Sequence, residues 1–313
     1  MIDKNITLVF PGQGSQSVGM GKDFFDNSDI AKQMINNASL RIGVDFRELM
    51  FEPNDKLSQT KWTQPAILLV SCIAYELFIR KCDIIPKFVL GHSLGEFSAL
   101  VASKALDYLD AIELVHKRGE FMNEACEGID AGMMAILGLD DTTIENMTKD
   151  QRDKNKKIWP ANYNMDGQLV VAGKKKHLQQ LAQTYIDAGA KRAIVLDMSV
   201  ASHCPLLENA IPKLKPYFEK YIKDEFKYPV ISNVTSKPYN NKKDAIELLS
   251  KQLISPVLYK QSILNNKQDI NTFVELGQGV VLKGINKKIS KNITTLNIQD
   301  TLSLQTTIKK LYE

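Results

Sequence analysis

The chain has 313 residues, a formal net charge of +4, and ordinary fractions of apolar (44%) and charged (24%) residues. These values predict a soluble globular protein and give no reason to expect nucleic acid as a partner, although the small basic excess would suit an acidic partner. The four cysteines include no C-x-x-C pair, which argues against a disulfide framework and a cysteine metal site. The N-terminus lacks the layout of a signal peptide, and the apolar run at 66–74 is too short for a bilayer, so we expect a cytoplasmic protein without membrane contact.

Strands and helices alternate along the first part of the chain. Apolar runs followed by turn residues predict strands at 6–10 and 88–90. Helical spacing of apolar residues predicts helices at 62–80, 96–102 and 107–125. Beyond residue 198 the alternation resumes, with a helix at 205–222, a strand at 230–232, mostly helix at 244–265, a strand at 272–276, a helix around 285, a strand at 294–298 and a helix at 302–311. This alternation predicts a largely parallel sheet covered by helices on both faces, the α/β class.

The middle of the chain has a different order of elements. Its predicted elements are a strand at 133–139, a helix at 142–150, strands at 158–163 and 169–172, a helix at 175–188 and a strand at 193–196. This βαββαβ order is that of the ferredoxin-like unit. We therefore expect a ferredoxin-like subdomain at 129–198, inserted into an α/β core that is formed by 1–128 and 199–313.

The motif Gly91-His92-Ser93-Leu94-Gly95 fits G-x-S-x-G between a predicted strand and a predicted helix. In such a nucleophile elbow the serine occupies a strained turn that lifts its Oγ above the sheet. The N–H of Leu94, at the start of the helix, would face the oxyanion that forms on an attacked carbonyl. A five-residue match can arise by chance, but its placement between strand and helix favours Ser93 as a nucleophile.

A serine nucleophile needs a base, and the sequence offers four histidines. His92 adjoins the serine in an extended turn and should point away from it, while His116 and His177 lie within predicted helices. His203 stands at the apparent start of a helix with Pro205 in its first turn, and a helix N-terminus favours a neutral imidazole. His203 is thus the favoured base, and the alternative is a histidine that only caps the helix.

The third member of a catalytic triad is not evident. Hydrolases usually carry an acidic residue before the histidine, and Asp197 is the nearest candidate. We expect Asp197 to be structural, because a backbone carbonyl can orient the imidazole of His203 equally well.

Arg118 lies within the apolar stripe of the predicted helix at 107–125, between Val115 and Met122. An arginine on a buried face requires an anion. A snorkelling side chain or an internal ion pair would satisfy this requirement without any substrate. We favour a bidentate clamp on a substrate carboxylate.

The turn Pro11-Gly12-Gln13-Gly14-Ser15-Gln16 follows the first predicted strand. A dinucleotide-binding loop would need a third glycine where Ser17 stands, so this interpretation fails and we expect no cofactor. The turn could instead supply a second oxyanion donor, a question that the spacing alone leaves open.

Taken together, these motifs resemble those of the malonyl-CoA:acyl-carrier-protein transacylases. They occur in family order from residue 10 to about 284, so the similarity spans nearly the whole chain. The matching segments are Phe10-Pro11-Gly12-Gln13-Gly14-Ser15-Gln16, Thr63-Gln64-Pro65-Ala66, Gly91-His92-Ser93-Leu94-Gly95-Glu96, Arg118-Gly119, Asn162-Tyr163-Asn164, Gly167-Gln168, Ser202-His203, Asn233-Val234-Thr235, Gln252-Leu253 and Glu275-Leu276-Gly277.

The resemblance implies a hydrolase-like core, a ferredoxin-like insertion and a ping-pong reaction. In that reaction Ser93, activated by His203, takes malonate from coenzyme A and passes it to the phosphopantetheine thiol of acyl carrier protein, supplying fatty acid biosynthesis. The remaining roles that it implies are oxyanion donors at the N–H groups of Gln13 and Leu94, a carboxylate clamp at Arg118 with Met122 beside it, a pocket wall at Asn162, and orientation of His203 by the main-chain carbonyl of Gln252. A monomer that holds no metal is expected.

Two other readings stay open on the residues alone. A serine esterase or thioesterase would share the elbow but would not need Arg118. A non-catalytic subunit that binds a carrier protein would not need Ser93, His203 and Arg118 intact. The sequence leaves open which carrier protein is used and whether methylmalonyl is accepted.

Overall fold

Two β-sheets organise the protein, which is represented by a computed structural model that describes residues 5–313. The strands of this range are β1 (Ile6–Phe10), β2 (Phe88–Gly91), β3 (Ala131–Leu137), β4 (Ile158–Met165), β5 (Gln168–Lys174), β6 (Arg192–Val195), β7 (Val230–Ile231), β8 (Pro238–Tyr239), β9 (Thr272–Leu276) and β10 (Thr294–Ile298). The larger sheet has the order β10-β9-β1-β2-β7-β8, parallel except for β8. This parallel core confirms the predicted α/β architecture.

Helices cover the sheets and connect the strands. The α-helices within residues 5–313 are α1 (Lys22–Asn27), α2 (Asp29–Ile42), α3 (Phe46–Phe51), α4 (Thr60–Ile79), α5 (Gly95–Ala102), α6 (Tyr108–Ala125), α7 (Asp141–Asp153), α8 (Lys175–Asp187), α9 (Ile211–Tyr221), α10 (Lys242–Gln252), α11 (Tyr259–Asn266), α12 (Val281–Ile289) and α13 (Thr301–Tyr312). Short 3₁₀ helices span Lys56–Ser58, Pro205–Ala210 and Lys267–Asp269.

The central strands of the large sheet are buried on both faces. Along β1, Leu8 and Phe10 belong to one apolar cluster, whereas Val9 belongs to a second cluster on the opposite face. Neighbouring β2 alternates in the same way, with Val89 in the first cluster and Leu90 in the second. Side chains of a strand point alternately to opposite faces, so each face of this sheet has its own apolar core, as is typical of parallel sheets.

The smaller sheet is antiparallel and has the order β4-β5-β3-β6. With α7 after β3 and α8 after β5, the elements follow the predicted order βαββαβ. The division into an inserted unit at 129–198 and a core from the remaining segments stays a prediction.

Several elements of the structure were not predicted or differ in detail from the prediction. Helices α1, α2 and α3 were not predicted, nor was the short strand β8. The segment 244–265 is mostly helical, as predicted, but it divides into two helices, because α10 ends at Gln252 and α11 begins at Tyr259. The intervening Pro256 disfavours helical geometry in the residue before it and explains the break. The segment 205–222 begins as a 3₁₀ helix and continues as α9.

Helices α4 and α6 pack closely against each other, and this contact positions the site. A Cβ at Gly119 of α6 would lie 2.5 Å from the Cα of Lys61, so only glycine permits this approach. It brings Gln64 of α4 next to Arg118 of α6. By length and composition alone α4 could cross a membrane, but 83% of its apolar window is buried within the protein, as in a core helix.

Candidate active site

The nucleophile elbow lies where β2 gives way to α5. Ser93 has a φ of 52°, a left-handed conformation that is strained for a residue with a side chain. The side chain of Asn233 holds the turn, because its Oδ1 accepts the Ser93 N–H at 2.7 Å and its Nδ2 donates to the Gly91 carbonyl at 2.7 Å. A Cβ at Gly95 would lie 2.1 Å from the Phe10 carbonyl oxygen, so glycine lets the elbow sit against the end of β1. The strained turn is thus fixed by its neighbours.

His203 lies between the nucleophile and a backbone carbonyl. Its Nε2 is 2.7 Å from the Oγ of Ser93, and its Nδ1 is 2.7 Å from the carbonyl oxygen of Gln252. Because a carbonyl oxygen can only accept, the proton of a neutral ring must sit on Nδ1, which leaves Nε2 free to accept the serine proton. Asp197 is exposed and lines a separate cavity. The arrangement is a serine and histidine pair that is oriented by a main-chain carbonyl.

The imidazole of His203 is held neutral. Burial, and to a smaller extent the positive charge of Arg118, lower the pKa of His203 to about 3, against the hydrogen bond to the Gln252 carbonyl. His203 lies just before the 3₁₀ helix that begins at Pro205, and burial is the largest cause of its lowered pKa. A neutral imidazole is the form that can accept a proton.

Arg118 is buried beside the nucleophile without a carboxylate partner. Its side chain donates from Nη1 to Gln64 Oε1 at 2.8 Å and from Nη2 to Gln252 Oε1 at 3.1 Å, both neutral oxygens. Its Nε has no hydrogen-bond partner in the described part of the chain, and no ion pair there includes it. Burial lowers the pKa of Arg118 to about 10, against the opposing charge of Glu96. A buried cation that only neutral groups contact is suited to bind an anion.

A cavity of about 240 Å³ joins these groups between the two sheets. Its lining residues are Gln13, Gln64, His92, Ser93, Leu94, Arg118, Met122, Met133, Ala135, Asn162, Asn164, Gln168, Val170, Leu196, Met198, Ser202 and His203. All the predicted site residues are among them except Gln252, which reaches the site through its main-chain carbonyl. Met122 accepts a hydrogen bond at Sδ from Gln64 Nε2 at 3.5 Å, and Asn162 is buried on β4. No cluster of three His, Cys, Asp or Glu side chains that could hold a metal is found in residues 5–313.

Gln13 and Leu94, whose backbone N–H groups were the predicted oxyanion donors, both line the cavity. Strands β1 and β2 are parallel neighbours with Phe10 opposite Gly91, so the loops that follow them leave the same edge of the sheet. These loops carry Gln13 and Leu94. Within residues 5–313 neither N–H donates to another protein group, so both remain available to an oxyanion.

Sequence reasoning did not assign roles to three residues of the site. Gln64 contacts Arg118, and His92 is 2.8 Å through Nε2 from Asn164 Oδ1 in the cavity wall. Glu96 is buried and contacts the side chain of Gln252. A signal was present for Gln64 and Glu96, since each is a polar residue in a largely apolar helix and such residues are seldom buried without a partner.

Comparisons with known proteins show which family the chain resembles. Residues 7–305 match the family described as the acyl transferase domain. The chain is 38% identical over 312 residues to the malonyl CoA-acyl carrier protein transacylase of Bacillus subtilis, covering 98% of both chains. The malonyl-CoA:acyl carrier protein transacylase from Helicobacter pylori has a similar structure, with a TM-score of 0.95, 43% identity and 99% of each chain covered. A malonyl-transacylase solved with a type II PKS acyl-carrier protein has a TM-score of 0.94 and 34% identity, covering 98% of this chain and 100% of that one.

Proposed function

The chain is an acyltransferase that belongs to the acyl transferase domain family, among the malonyl-CoA:acyl carrier protein transacylases, and we propose that it moves malonyl groups through Ser93. The observation that carries this proposal is the buried guanidinium of Arg118, which has no anionic contact and lies beside the nucleophile. A malonyl thioester presents a carboxylate one methylene from its reactive carbonyl, so one small cavity can hold both ends.

The first half of the proposed reaction forms an ester. Malonyl-CoA binds with its carboxylate on Arg118, and the Oγ of Ser93 attacks the thioester carbonyl while His203 Nε2 accepts the hydroxyl proton. The N–H groups of Gln13 and Leu94 stabilise the oxyanion. As the tetrahedral intermediate collapses, the C–S bond breaks and His203 gives its proton to the leaving coenzyme A sulfur. The products are malonyl-Ser93 and free coenzyme A.

The second half repeats the same steps with another thiol. The phosphopantetheine thiol of acyl carrier protein replaces coenzyme A and gives its proton to His203 Nε2 as it attacks the ester carbonyl. The oxyanion forms in the same position, and the C–O bond to Ser93 then breaks while His203 returns the proton to Oγ. One acid–base residue thus serves both half-reactions, and the acyl-enzyme between them makes the scheme ping-pong.

The wider assignments follow from this reaction. The relatives named above are malonyl transacylases, and one was solved with an acyl-carrier protein. We propose that the partners are malonyl-CoA and an acyl carrier protein, and that the product supplies extender units for fatty acid biosynthesis. A cytoplasmic monomer that works without cofactor or metal is part of the same proposal.

A serine hydrolase is the second candidate, because it would use the same elbow. It would pass the acyl group to water, and it would not need a buried cation in the pocket. Incubation with malonyl-CoA and a phosphopantetheinylated carrier protein distinguishes the two. We expect malonyl-carrier protein to accumulate with little free malonate. Free malonate as the main product would support the hydrolase and overturn the transfer.

A further inference from the structure

The carboxylate of Glu96 is buried three residues after the nucleophile and is fully hydrogen-bonded. Its side chain is 1% exposed. Oε1 accepts from the Tyr239 hydroxyl at 3.0 Å, and Oε2 accepts from the Asn233 N–H at 3.2 Å and from Gln252 Nε2 at 2.7 Å. No ion pair in the described part of the chain includes Glu96. A buried carboxylate without a contacting cation is costly, and the proposed reaction gives it no chemical step.

The side-chain amide of Gln252 lies between Glu96 and Arg118 and connects them. Its Oε1 accepts from Arg118 Nη2 at 3.1 Å, while its Nε2 donates to Glu96. A guanidinium can only donate, and an ionised carboxylate can only accept. The two charged groups therefore fix the amide in one orientation, because a flipped amide would face each of them with the wrong end.

The same amide and a second contact of Glu96 reach the elbow. Gln252 Nε2 also donates to the carbonyl of Ser93 at 3.1 Å. On the other side, Glu96 holds the backbone N–H of Asn233, whose side chain binds the Ser93 N–H. Glu96 thus supports Arg118 through Gln252. It supports the strained turn at Ser93 through both Gln252 and Asn233.

We propose that Glu96 is a positioning residue for malonyl recognition, which acts through the side chain of Gln252 to hold the guanidinium of Arg118 where it receives the substrate carboxylate. The inference rests on the proposed function. Glu96 contacts neither Ser93 Oγ nor the cavity, and apart from its charge near Arg118 it reaches the guanidinium through the side chain of Gln252.

Burial raises the pKa of Glu96 to about 7, while the hydrogen bonds from Gln252, Asn233 and Tyr239 and the charge of Arg118 lower it. These groups come from four segments and are the ones that determine its ionisation. When Glu96 is ionised its bonds to the amide of Gln252 are charge-assisted, which strengthens the orientation described above.

The readout is the ratio of kcat/KM for malonyl-CoA to kcat/KM for acetyl-CoA, because acetyl has no carboxylate for Arg118. We expect Glu96→Ala to lower this ratio about tenfold, as the loss of one coupled hydrogen bond would. Glu96→Gln keeps an acceptor oxygen for Gln252 and Asn233, and its NH₂ can donate to the Tyr239 oxygen, so it should restore the ratio towards wild type. Tyr239→Phe is the matched control: it removes a buried hydrogen bond of Glu96 that does not lead to Arg118, and the ratio should stay unchanged.

Gln252→Ala removes the side-chain amide that connects Glu96 to Arg118, and it leaves Glu96 and the main-chain carbonyl of residue 252 in place. It should lower the ratio about tenfold by itself, so the inference stays testable even where Glu96→Ala fails to fold. Glu96→Ala combined with Gln252→Ala should lower the ratio no further than Gln252→Ala alone. Three results would each overturn the inference. The first is an unchanged ratio in Gln252→Ala, and the second is equal losses on both substrates in Glu96→Ala. The third is a double variant whose fold loss in the ratio equals the product of the fold losses of the two single variants. Wild-type protein that transfers no malonyl group would instead overturn the proposed function.

Discussion

The guanidinium of Arg118 reaches the nucleophile itself, with Nη2 at 3.4 Å from the Oγ of Ser93. The group that we propose to bind a carboxylate and the group that we propose to attack a carbonyl therefore line one cavity. The short distance between Arg118 Nη2 and Ser93 Oγ suits an acyl group whose carboxylate and carbonyl are one methylene apart. It therefore connects the charge of Arg118 to the choice of substrate. The predictions below follow from this relationship and from the contacts around it.

Replacing Arg118 with alanine should impair malonyl transfer far more than acetyl transfer. Charged hydrogen bonds contribute about 1.5–3 kcal/mol each, so kcat/KM for malonyl-CoA should fall on the order of 100-fold. Acetyl transfer should change by less than about tenfold, because acetyl has no carboxylate to lose. The control is Arg80→Ala, since Arg80 is exposed and paired with Glu76 far along α4. Equal losses on the two substrates would contradict the clamp.

Replacing Gln64 with glutamate should place a carboxylate against the guanidinium of Arg118 and neutralise its charge. The Gln64 Oε1 already accepts from Arg118 Nη1 at 2.8 Å, so a carboxylate of the same shape would form an internal ion pair there. It would compete with the substrate carboxylate, and the malonyl-to-acetyl ratio of kcat/KM should fall about tenfold or more. Competition assays with both acyl-CoAs measure this ratio. A ratio unchanged from wild type would show that Arg118 does not receive the carboxylate.

The base should stay active at mildly acidic pH. Burial, Arg118 and the neighbouring His92 lower the pKa of His203 to about 3, so the imidazole stays neutral as pH falls through the usual histidine range. Glu96, with a pKa raised to about 7, titrates in that range and would obscure the result, so the measurement uses Glu96→Gln. Single-turnover acylation of this variant should vary by less than about twofold between about pH 5 and 8. A loss with a midpoint near about pH 6.5 would contradict the lowered pKa of His203.

Two glycine substitutions should change stability in opposite directions. A Cβ at Gly95 would lie 2.1 Å from the Phe10 carbonyl oxygen, so Gly95→Ala must displace backbone and should lower the free energy of unfolding by about 1–3 kcal/mol or more. Gly284 lies within α12 with no atom within 4 Å of an added Cβ, and Gly284→Ala should raise that free energy by about 0.5–1 kcal/mol. Denaturant unfolding measures both. A stable Gly95→Ala protein would contradict the close contact of the elbow with β1.

The local chemistry of the site could be predicted from sequence because it depends on short motifs. The elbow at Ser93 needs a strand, a turn and a helix in immediate succession, and all three are readable in the residues around it. Arg118 was conspicuous because a cation interrupted an apolar stripe. His203 followed largely by elimination, but the main cause of its neutral state was not predicted, since burial by distant segments has no signature in the residues beside it.

The missed elements have physical causes as well. Helices α1 and α3 have six residues each, which is too short for an apolar period to repeat. Their neighbourhood did carry a signal, since Ser28 and Asp45 cap α2 and α3 with their side chains. The polar character of Glu96 within its helix was a signal, but its proposed role was not predictable, because that role depends on contacts with residues more than a hundred positions away along the chain.

The most direct test of the account is the mass of the protein after brief exposure to malonyl-CoA without a carrier protein. We predict that intact wild-type protein gains one malonyl group, that peptide sequencing locates it on Ser93, and that adding a phosphopantetheinylated carrier protein removes it. Ser93→Ala should gain nothing. A malonyl group on the Ser93→Ala protein, or wild-type protein that stays unmodified while it still transfers malonyl groups, would contradict an ester on Ser93.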